Sequence, residues 1–311
     1  MNQDSPFNHI KPVALITGIN GFTGPYVARE LEDAGYKVVG VSNSGTADNE
    51  TLFKVNLCHS ESVIRLIETV RPNVVVHLAA ISFVPHNNIE EIYQVNIVAT
   101  RNLLQALSQT DLDLTAVLLA STSHVYGKSA AGKLSETSAF NPENDYAVSK
   151  LSMEYMARLW IELLPIFFVR PFNYTGVGQA PHFLIPKIVS HYARGKREIE
   201  LGNINVIRDF SDVRMVATYY KKLIAAIPIG RALNICSGEG YSIHQILNFL
   251  AEIAGYAITV RVNPTFVRPD EVKESIGDNG NLRSVIGDMP TIPLKQTLEW
   301  MYMHYKQCDN G

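Results

Sequence analysis

The sequence predicts an α/β protein: a doubly wound parallel sheet with helices on both faces, and a smaller, partly interleaved second lobe. Three observations lead there. Up to about residue 174, short β-branched or apolar runs alternate with segments of helical periodicity. The first of these runs ends in a glycine-rich turn that opens a helix. Beyond that point the rhythm changes, with prolines at 181, 186, 264, 269, 290 and 293 among short strands and helices.

Taken in order, Val13–Thr17 is a strand, and Pro25–Leu31 carries helical spacing as far as Gly35. Lys37–Val41 and Phe53–Val55 read as strands, Ser60–Val70 as a helix opened by a Ser cap, and Asn73–Ala80 as a buried strand. Ile89–Ser108 is a long helix, Leu114–Ser121 a strand, Asp145–Leu163 a helix and Ile166–Arg170 a strand. In the second lobe, Ile199–Leu201 and Thr259–Val262 are short strands, while Ala232–Cys236 returns to the main sheet. The division expected is therefore residues 1–173 with 211–236 for the sheet domain and 174–210 with 237–311 for the smaller lobe.

Composition excludes several classes of function. The 311 residues are 46% apolar and 18% charged, which suits a globular protein and not a disordered or fibrous one. Lys and Arg number 27 against 30 Asp and Glu, a net charge of −3, so the basic stripe of a nucleic-acid binder is missing. The longest apolar stretch, Val74–Ile81, is broken by His77 and is far shorter than the roughly 20 residues of a membrane span. Met1–Pro12 has no apolar core of an export signal, and Cys58, Cys236 and Cys308 are scattered and odd in number. A cytoplasmic protein without a structural metal is expected.

Gly18, Gly21 and Gly24 form a GxxGxxG turn between the first strand and the first helix. Free N–H groups and the positive end of the helix dipole would there face a pyrophosphate. Gly18 suits the tight turn, Gly21 the approach of phosphate to backbone, and Gly24 close packing of helix on strand. The alternative is a glycine-rich turn that binds nothing. Where an NAD site has an acid at the end of the second strand, this chain reads Ser42-Asn43-Ser44. Without a carboxylate to repel a 2′-phosphate, NADP(H) is expected over NAD(H).

Tyr146 and Lys150 lie four apart at the start of the helix after the fifth strand, on one helical face. An ammonium beside a phenol favours the phenolate, so Lys150 is expected to bring Tyr146 down toward the working range and to hold a ribose hydroxyl. A surface pair without function is the alternative. At the end of the preceding strand, Thr122 or Ser123 could orient a substrate carbonyl or hydroxyl toward Tyr146.

With the glycine turn, Leu78-Ala79-Ala80, Ser121-Thr122-Ser123-His124-Val125-Tyr126-Gly127 and Tyr146–Lys150 together, the chain resembles the extended short-chain dehydrogenase/reductases, Rossmann-fold enzymes acting on nucleotide sugars. The resemblance implies Thr122 as the catalytic hydroxyl, Tyr146 as acid/base and Lys150 as its partner. It also implies that Phe22, Thr23, Ala79 and Ala80 join the glycines and Ser42 and Asn43 around the cofactor. Asn56, with Leu57, falls beside the adenine where an acid is usual, and the Asn56 amide oxygen can still accept from the adenine amino group.

In the second lobe, Arg170–Gln179, Leu201–Ile204, Arg208–Val213 and Arg268–Val272 narrow the resemblance to the branch of GDP-mannose 4,6-dehydratases and GDP-4-keto-6-deoxy-D-mannose reductases. Arg208 and Arg268 are natural clamps for a diphosphate, Lys187 adds charge, Glu271 suits ribose hydroxyls, and Asn173 can reach diphosphate or sugar. Ion pairs of Arg208 with Asp209 or Asp212, and of Arg268 with Asp270 or Glu271, are the alternatives.

Two residues before Tyr126, where dehydratases of this branch carry the Glu that removes the C5 proton and GDP-L-fucose synthases a Cys, this chain has His124. That leaves hydride transfer to the C4 ketone of a 4-keto-6-deoxy sugar nucleotide, most simply GDP-linked and giving GDP-D-rhamnose. His124 then shapes the sugar pocket or acts as a base. Dehydration or epimerisation is the alternative within the family, and a catalytically silent dinucleotide binder the alternative outside it. By analogy the helices Ile89–Ser108 and Asp145–Leu163 pair with a second copy in a homodimer.

Overall fold

β-Branched and aliphatic runs supply the strands β1 (Val13–Thr17), β2 (Lys37–Ser42), β3 (Leu52–Lys54), β4 (Val74–His77), β5 (Ala116–Ala120) and β6 (Ile166–Pro171). With β10 (Ala232–Ile235) they make a seven-stranded sheet in the order β10-β6-β5-β4-β1-β2-β3, and every pairing in it is parallel. The structure is a computed structural model that describes residues 11–43, 50–82, 88–128, 132–267, 272–287 and 291–308. Both faces of the sheet are covered. Leu15, Val39, Val75 and Val117 pack under α2 (Ser60–Val70) and α4 (Ala99–Gln109), whereas Ala14, Ile16, Val76 and Leu118 pack under α1 (Gly24–Asp33) and α7 (Val213–Ala226). The expected return of Ala232–Cys236 to this sheet is seen in β10.

The second lobe is built on β9 (Ile207–Asp212), which pairs with β7 (Asn173–Thr175), β11 (Gly240–Ser242) and β13 (Glu274–Ser275), and on the pair β8 (Glu198–Leu201) and β12 (Thr259–Val262). Around them α6 (Leu184–Ala193), α8 (Ile243–Ala254) and α10 (Leu294–Cys308) enclose a separate core of Ile188, Tyr192, Leu201, Ile246, Leu250 and Leu298. The short α9 (Gly280–Ile286) returns to the main core through Leu282.

Three local expectations need correction. Ser60 is the first residue of α2 and His59 stands at the cap, so no Ser side chain caps that helix. The long helix expected over Ile89–Ser108 is α3 (Ile89–Tyr93) and α4 joined by a π-helical turn, Gln94–Val98. Within this turn the side chain of Asn96 bonds outside its own helix, to Ile81 and Ser149. The helix from Asp145, α5 (Asp145–Ala157), ends six residues early in the 3-10 turn Arg158–Trp160, where the backbone tightens to i→i+3 bonds before the chain turns into β6. Near this end Tyr155, Leu159 and Leu163 are exposed, in the segment expected above to meet a second copy. Among the described residues no helix is long and apolar enough to cross a membrane.

From β1 the chain winds one way to β2 and β3, then crosses back to β4, β5 and β6. The switch point lies between β1 and β4, and the crevice outside the strand ends there is where doubly wound sheets bind ligands.

Candidate active site

Gly18 leaves β1 at φ +72° and donates to Val41 O at 2.9 Å, and a Cβ there would come within 2.8 Å of Ala79 N. This close approach brings the glycine turn against the segment after β4, where Ala79 and Ala80 follow. Gly21 N–H closes the turn on Gly18 O at 3.0 Å. A Cβ on Gly24 would overlap the Ile19 backbone, so the glycine sets how closely α1 approaches its own turn. Thr23 at the cap makes no side-chain capping bond. Its Oγ1 shares a 2.7 Å hydrogen bond with Tyr174 OH, and the Phe22 ring stacks on Tyr174 at 5.7 Å. Thr23 therefore does not cap the N-terminus of α1, the end of a helix that favours an anion. Ser42 ends β2 as a buried residue, with exposed Asn43 after it. Ser44 lies outside the described residues. Asn56 Oδ1 accepts from Cys58 N at 3.0 Å, and Leu57 O accepts from Asn102 Nδ2 at 3.0 Å.

Thr122, Tyr146 and Lys150 come together at the end of β5. Thr122 caps the 3-10 turn Ser123–Tyr126, accepting from His124 N at 3.2 Å, and its side chain hydrogen-bonds Tyr146. Asn144 caps α5 by accepting from Ala147 N at 2.9 Å, which sets Tyr146 and Lys150 in the first turns of the helix. Ser123 is buried, and exposed His124 stands edge-on to Tyr146 with ring centroids 5.9 Å apart.

The electrostatics differ from expectation. Burial pushes the Tyr146 phenol up to about 12, and the Thr122 hydrogen bond opposes that rise only in part. Burial also lowers Lys150 to about 8, and its Nζ donates to Ala120 O at 2.7 Å instead of lowering the phenol. At this buried position the desolvation of a phenolate outweighs an ammonium that is turned toward a carbonyl. At neutral pH the phenol keeps its proton.

Sequence reasoning missed the support of this group. His77 is held between Thr17 Oγ1, 2.7 Å from Nδ1, and Thr100 Oγ1, 2.8 Å from Nε2. Burial, aided by the Lys150 charge, lowers His77 to about 3. Asn96 Oδ1 accepts from Ile81 N at 2.9 Å, while Nδ2 donates to Ile81 O at 3.1 Å and to Ser149 Oγ at 2.9 Å. The π turn thus ties the cofactor-side segment after β4 to the helix of Tyr146. The one trace of this in the sequence is a polar residue in an otherwise apolar stretch, such as His77 in Val74–Ile81.

The residues fit a nicotinamide dinucleotide. Ser121 Oγ, one residue beyond β5 and beside Thr122, is buried without a hydrogen-bond partner among the described residues, and the glycine turn lets α1 and the segment after β4 approach more closely than side chains at Gly18 or Gly24 would allow. In the second lobe Asn173 Nδ2 donates to Asp209 O at 3.3 Å, and Lys187 Nζ donates to Glu200 O at 2.7 Å and lies 4.7 Å from the Phe266 ring centre. Arg208 Nη1 donates to Ile207 O at 2.9 Å. The carboxylates considered as its ion-pair partners are engaged elsewhere: Asp209 with the N–H groups of Ser237, Gly238 and Gly277, and Asp212 with Arg214 at 2.6 Å. Arg268 and Glu271 lie outside the described residues.

Comparison with known proteins gives the family. The family described as GDP-mannose 4,6 dehydratase matches residues 15–301. A GDP-6-deoxy-D-talose 4-dehydrogenase of Aggregatibacter actinomycetemcomitans is 36% identical over 292 residues, 93% of this chain and 96% of the relative. A GDP-6-deoxy-D-mannose reductase of Pseudomonas aeruginosa is 31% identical over 295 residues, 91% and 94%. Among solved structures, a protein named only as a candidate epimerase from Burkholderia cenocepacia J2315 has a TM-score of 0.90 at 48% identity, covering 95% of this chain and 98% of that one. The structure of RMD from Pseudomonas aeruginosa complexed with NADPH has a TM-score of 0.84 at 28% identity, covering 96% and 100%.

Proposed function

The chain belongs to the GDP-mannose 4,6-dehydratase family of extended short-chain dehydrogenase/reductases and is an NAD(P)-dependent enzyme, and from that premise we propose that it reduces the C4 ketone of GDP-4-keto-6-deoxy-D-mannose to give GDP-D-rhamnose. The observation that carries this reading is the buried phenol of Tyr146, hydrogen-bonded to Thr122, with an imidazole where a dehydratase of the branch has its carboxylate base. The sugars in the names of the two relatives differ only in configuration at C4, so reduction of one 4-ketone leads to either.

When bound, the dinucleotide supplies hydride to C4. Tyr146 OH then gives its proton to the C4 oxygen, and the Thr122 hydroxyl orients that oxygen. Lys150, charged below about 8, donates to Ala120 O and offers its remaining N–H donors to a ribose hydroxyl. Asn173, Lys187 and Arg208, with Arg268 and Glu271, bind the nucleoside diphosphate, and Ser123 and His124 line the sugar pocket.

Reaction in D₂O with NADPH tests the step. The expected product carries no carbon-bound deuterium, and NADPH deuterated on the transferred face labels C4 alone; NMR couplings at C4 give the D-rhamnose configuration. A second reading, dehydration with His124 as base, has its own support in the family and in the imidazole 5.9 Å from the Tyr146 ring. Deuterium at C5 above a spontaneous-exchange control would favour it and overturn simple reduction.

NADPH is the preferred cofactor in this reading. Ser42 and Asn43 put no carboxylate beside a 2′-phosphate, and a structural relative binds NADPH. Fluorescence titration is expected to give tighter binding of NADPH than NADH, with Ser42→Asp reversing the order. A wild-type preference for NADH would refute it.

A further inference from the structure

Behind the Thr122, Tyr146 and Lys150 group lies a buried ion pair that the chemistry above does not use. Arg170, in β6, and Glu154, one turn beyond Lys150 in α5, have side chains only 3% and 2% exposed. The guanidinium fork meets both carboxylate oxygens, Nε to Oε1 at 2.9 Å and Nη2 to Oε2 at 2.6 Å. Its remaining nitrogen, Nη1, donates to Tyr126 OH at 3.0 Å. The rings of Tyr126 and Phe140 lie 5.4 and 4.7 Å from the guanidinium carbon. Tyr126 OH in turn donates to Asn234 Oδ1 at 2.7 Å, in β10.

One side chain thus fastens two separate segments to the same strand. The first is α5, which carries Tyr146 and Lys150. The second is the turn Ser123–Tyr126, which begins at Thr122 and carries His124. A buried ion pair is a weak source of stability, because desolvation offsets the attraction, and its best-attested use is to fix register. A planar fork with four directed bonds, the fourth from Nη1 to Glu136 O at 3.4 Å, suits that use better than an ammonium on a flexible stem.

The charge has a second consequence. The groups that act on Lys150 are Ala120 O from β5, neutral His77 from β4 and Glu154 from its own helix, with Arg170 of β6 behind Glu154. Glu154 is the one anion among them, and its carboxylate works against the burial that lowers Lys150.

We propose that Glu154 and Arg170 are a positioning pair for the reaction: Arg170 sets the distance from Thr122 to Tyr146, and Glu154 keeps Lys150 charged at working pH. This rests on the roles given to Tyr146 and Lys150 under Proposed function.

The test is the pH dependence of kcat, with KM, for the full-length wild type, Glu154→Gln and Arg170→Lys. Wild-type activity is present while Lys150 is charged and falls as pH rises through about 8. Glu154→Gln keeps shape and loses charge, so the alkaline limb is expected to move down by about half a unit or more. Arg170→Lys keeps charge and loses the fork; kcat is expected to fall about tenfold with KM for NADPH and sugar nucleotide within about twofold. If either variant fails to fold, the paired exchange Glu154→Met with Arg170→Met takes its place, since apolar residues of similar volume preserve such cores. Its limb should also move down and its kcat fall. Unchanged limb and kcat in folded variants would make the pair purely structural and overturn the proposal. A wild type without turnover, or a Tyr146→Phe variant with normal turnover, would instead overturn the reading of the site, and this inference with it.

Discussion

Turnover of Tyr146→Phe is expected to fall by at least about 10²-fold, the usual contribution of a placed general acid. The ring remains and only the hydroxyl is lost. Packing is retained, and Thr122 Oγ1 keeps the bond from His124 N. Because burial holds the phenol near 12, the group that leaves is a proton donor at every pH at which the enzyme works, so the loss should appear in kcat with KM little changed. Steady-state kinetics with NADPH and the 4-keto sugar nucleotide decide the matter. Near wild-type turnover would remove Tyr146 from the mechanism.

Gly24→Ala is expected to weaken NADPH binding by about 10- to 100-fold and to lower the melting temperature. The new Cβ meets the Ile19 backbone, which cannot rotate away as a side chain can. Overpacking of this kind costs about 1–3 kcal/mol, and each 1.4 kcal/mol is roughly a factor of ten in affinity. The displaced part is the N-terminus of α1, where the proposed function puts the dinucleotide's pyrophosphate. Fluorescence titration and thermal unfolding measure both effects, and a variant matching wild type in each would show that the close approach at Gly24 does not matter for the cofactor.

Local signals in the chain carried far. Helical and strand periodicity marked the units of the sheet, since each is a short-range pattern that burial then exploits. Gly18, Gly21 and Gly24 were recognisable because a strand, a tight turn and a helix follow one another within a dozen residues. Tyr146 and Lys150 share a helical face by spacing alone. The π turn at Gln94–Val98 was not legible: within it Asn96 bonds to Ile81 and Ser149, and its bond to Ser149 spans 53 positions.

By itself, then, the sequence determined a doubly wound α/β chain with a dinucleotide-type turn and the pairing of a phenol with an ammonium. Tertiary structure decided the state of that pair. The sequence predicts a phenol lowered by its neighbour, whereas in the fold it is raised, and Lys150 faces Ala120 O, 30 residues away. The same holds for Thr23 on Tyr174, 151 residues apart, and for Arg170 on Glu154 and Tyr126. Spacing along a helix follows from 3.6 residues per turn and can be read from the chain. Desolvation depends on every atom that excludes water from a group, and those atoms come from distant segments that only the topology brings together.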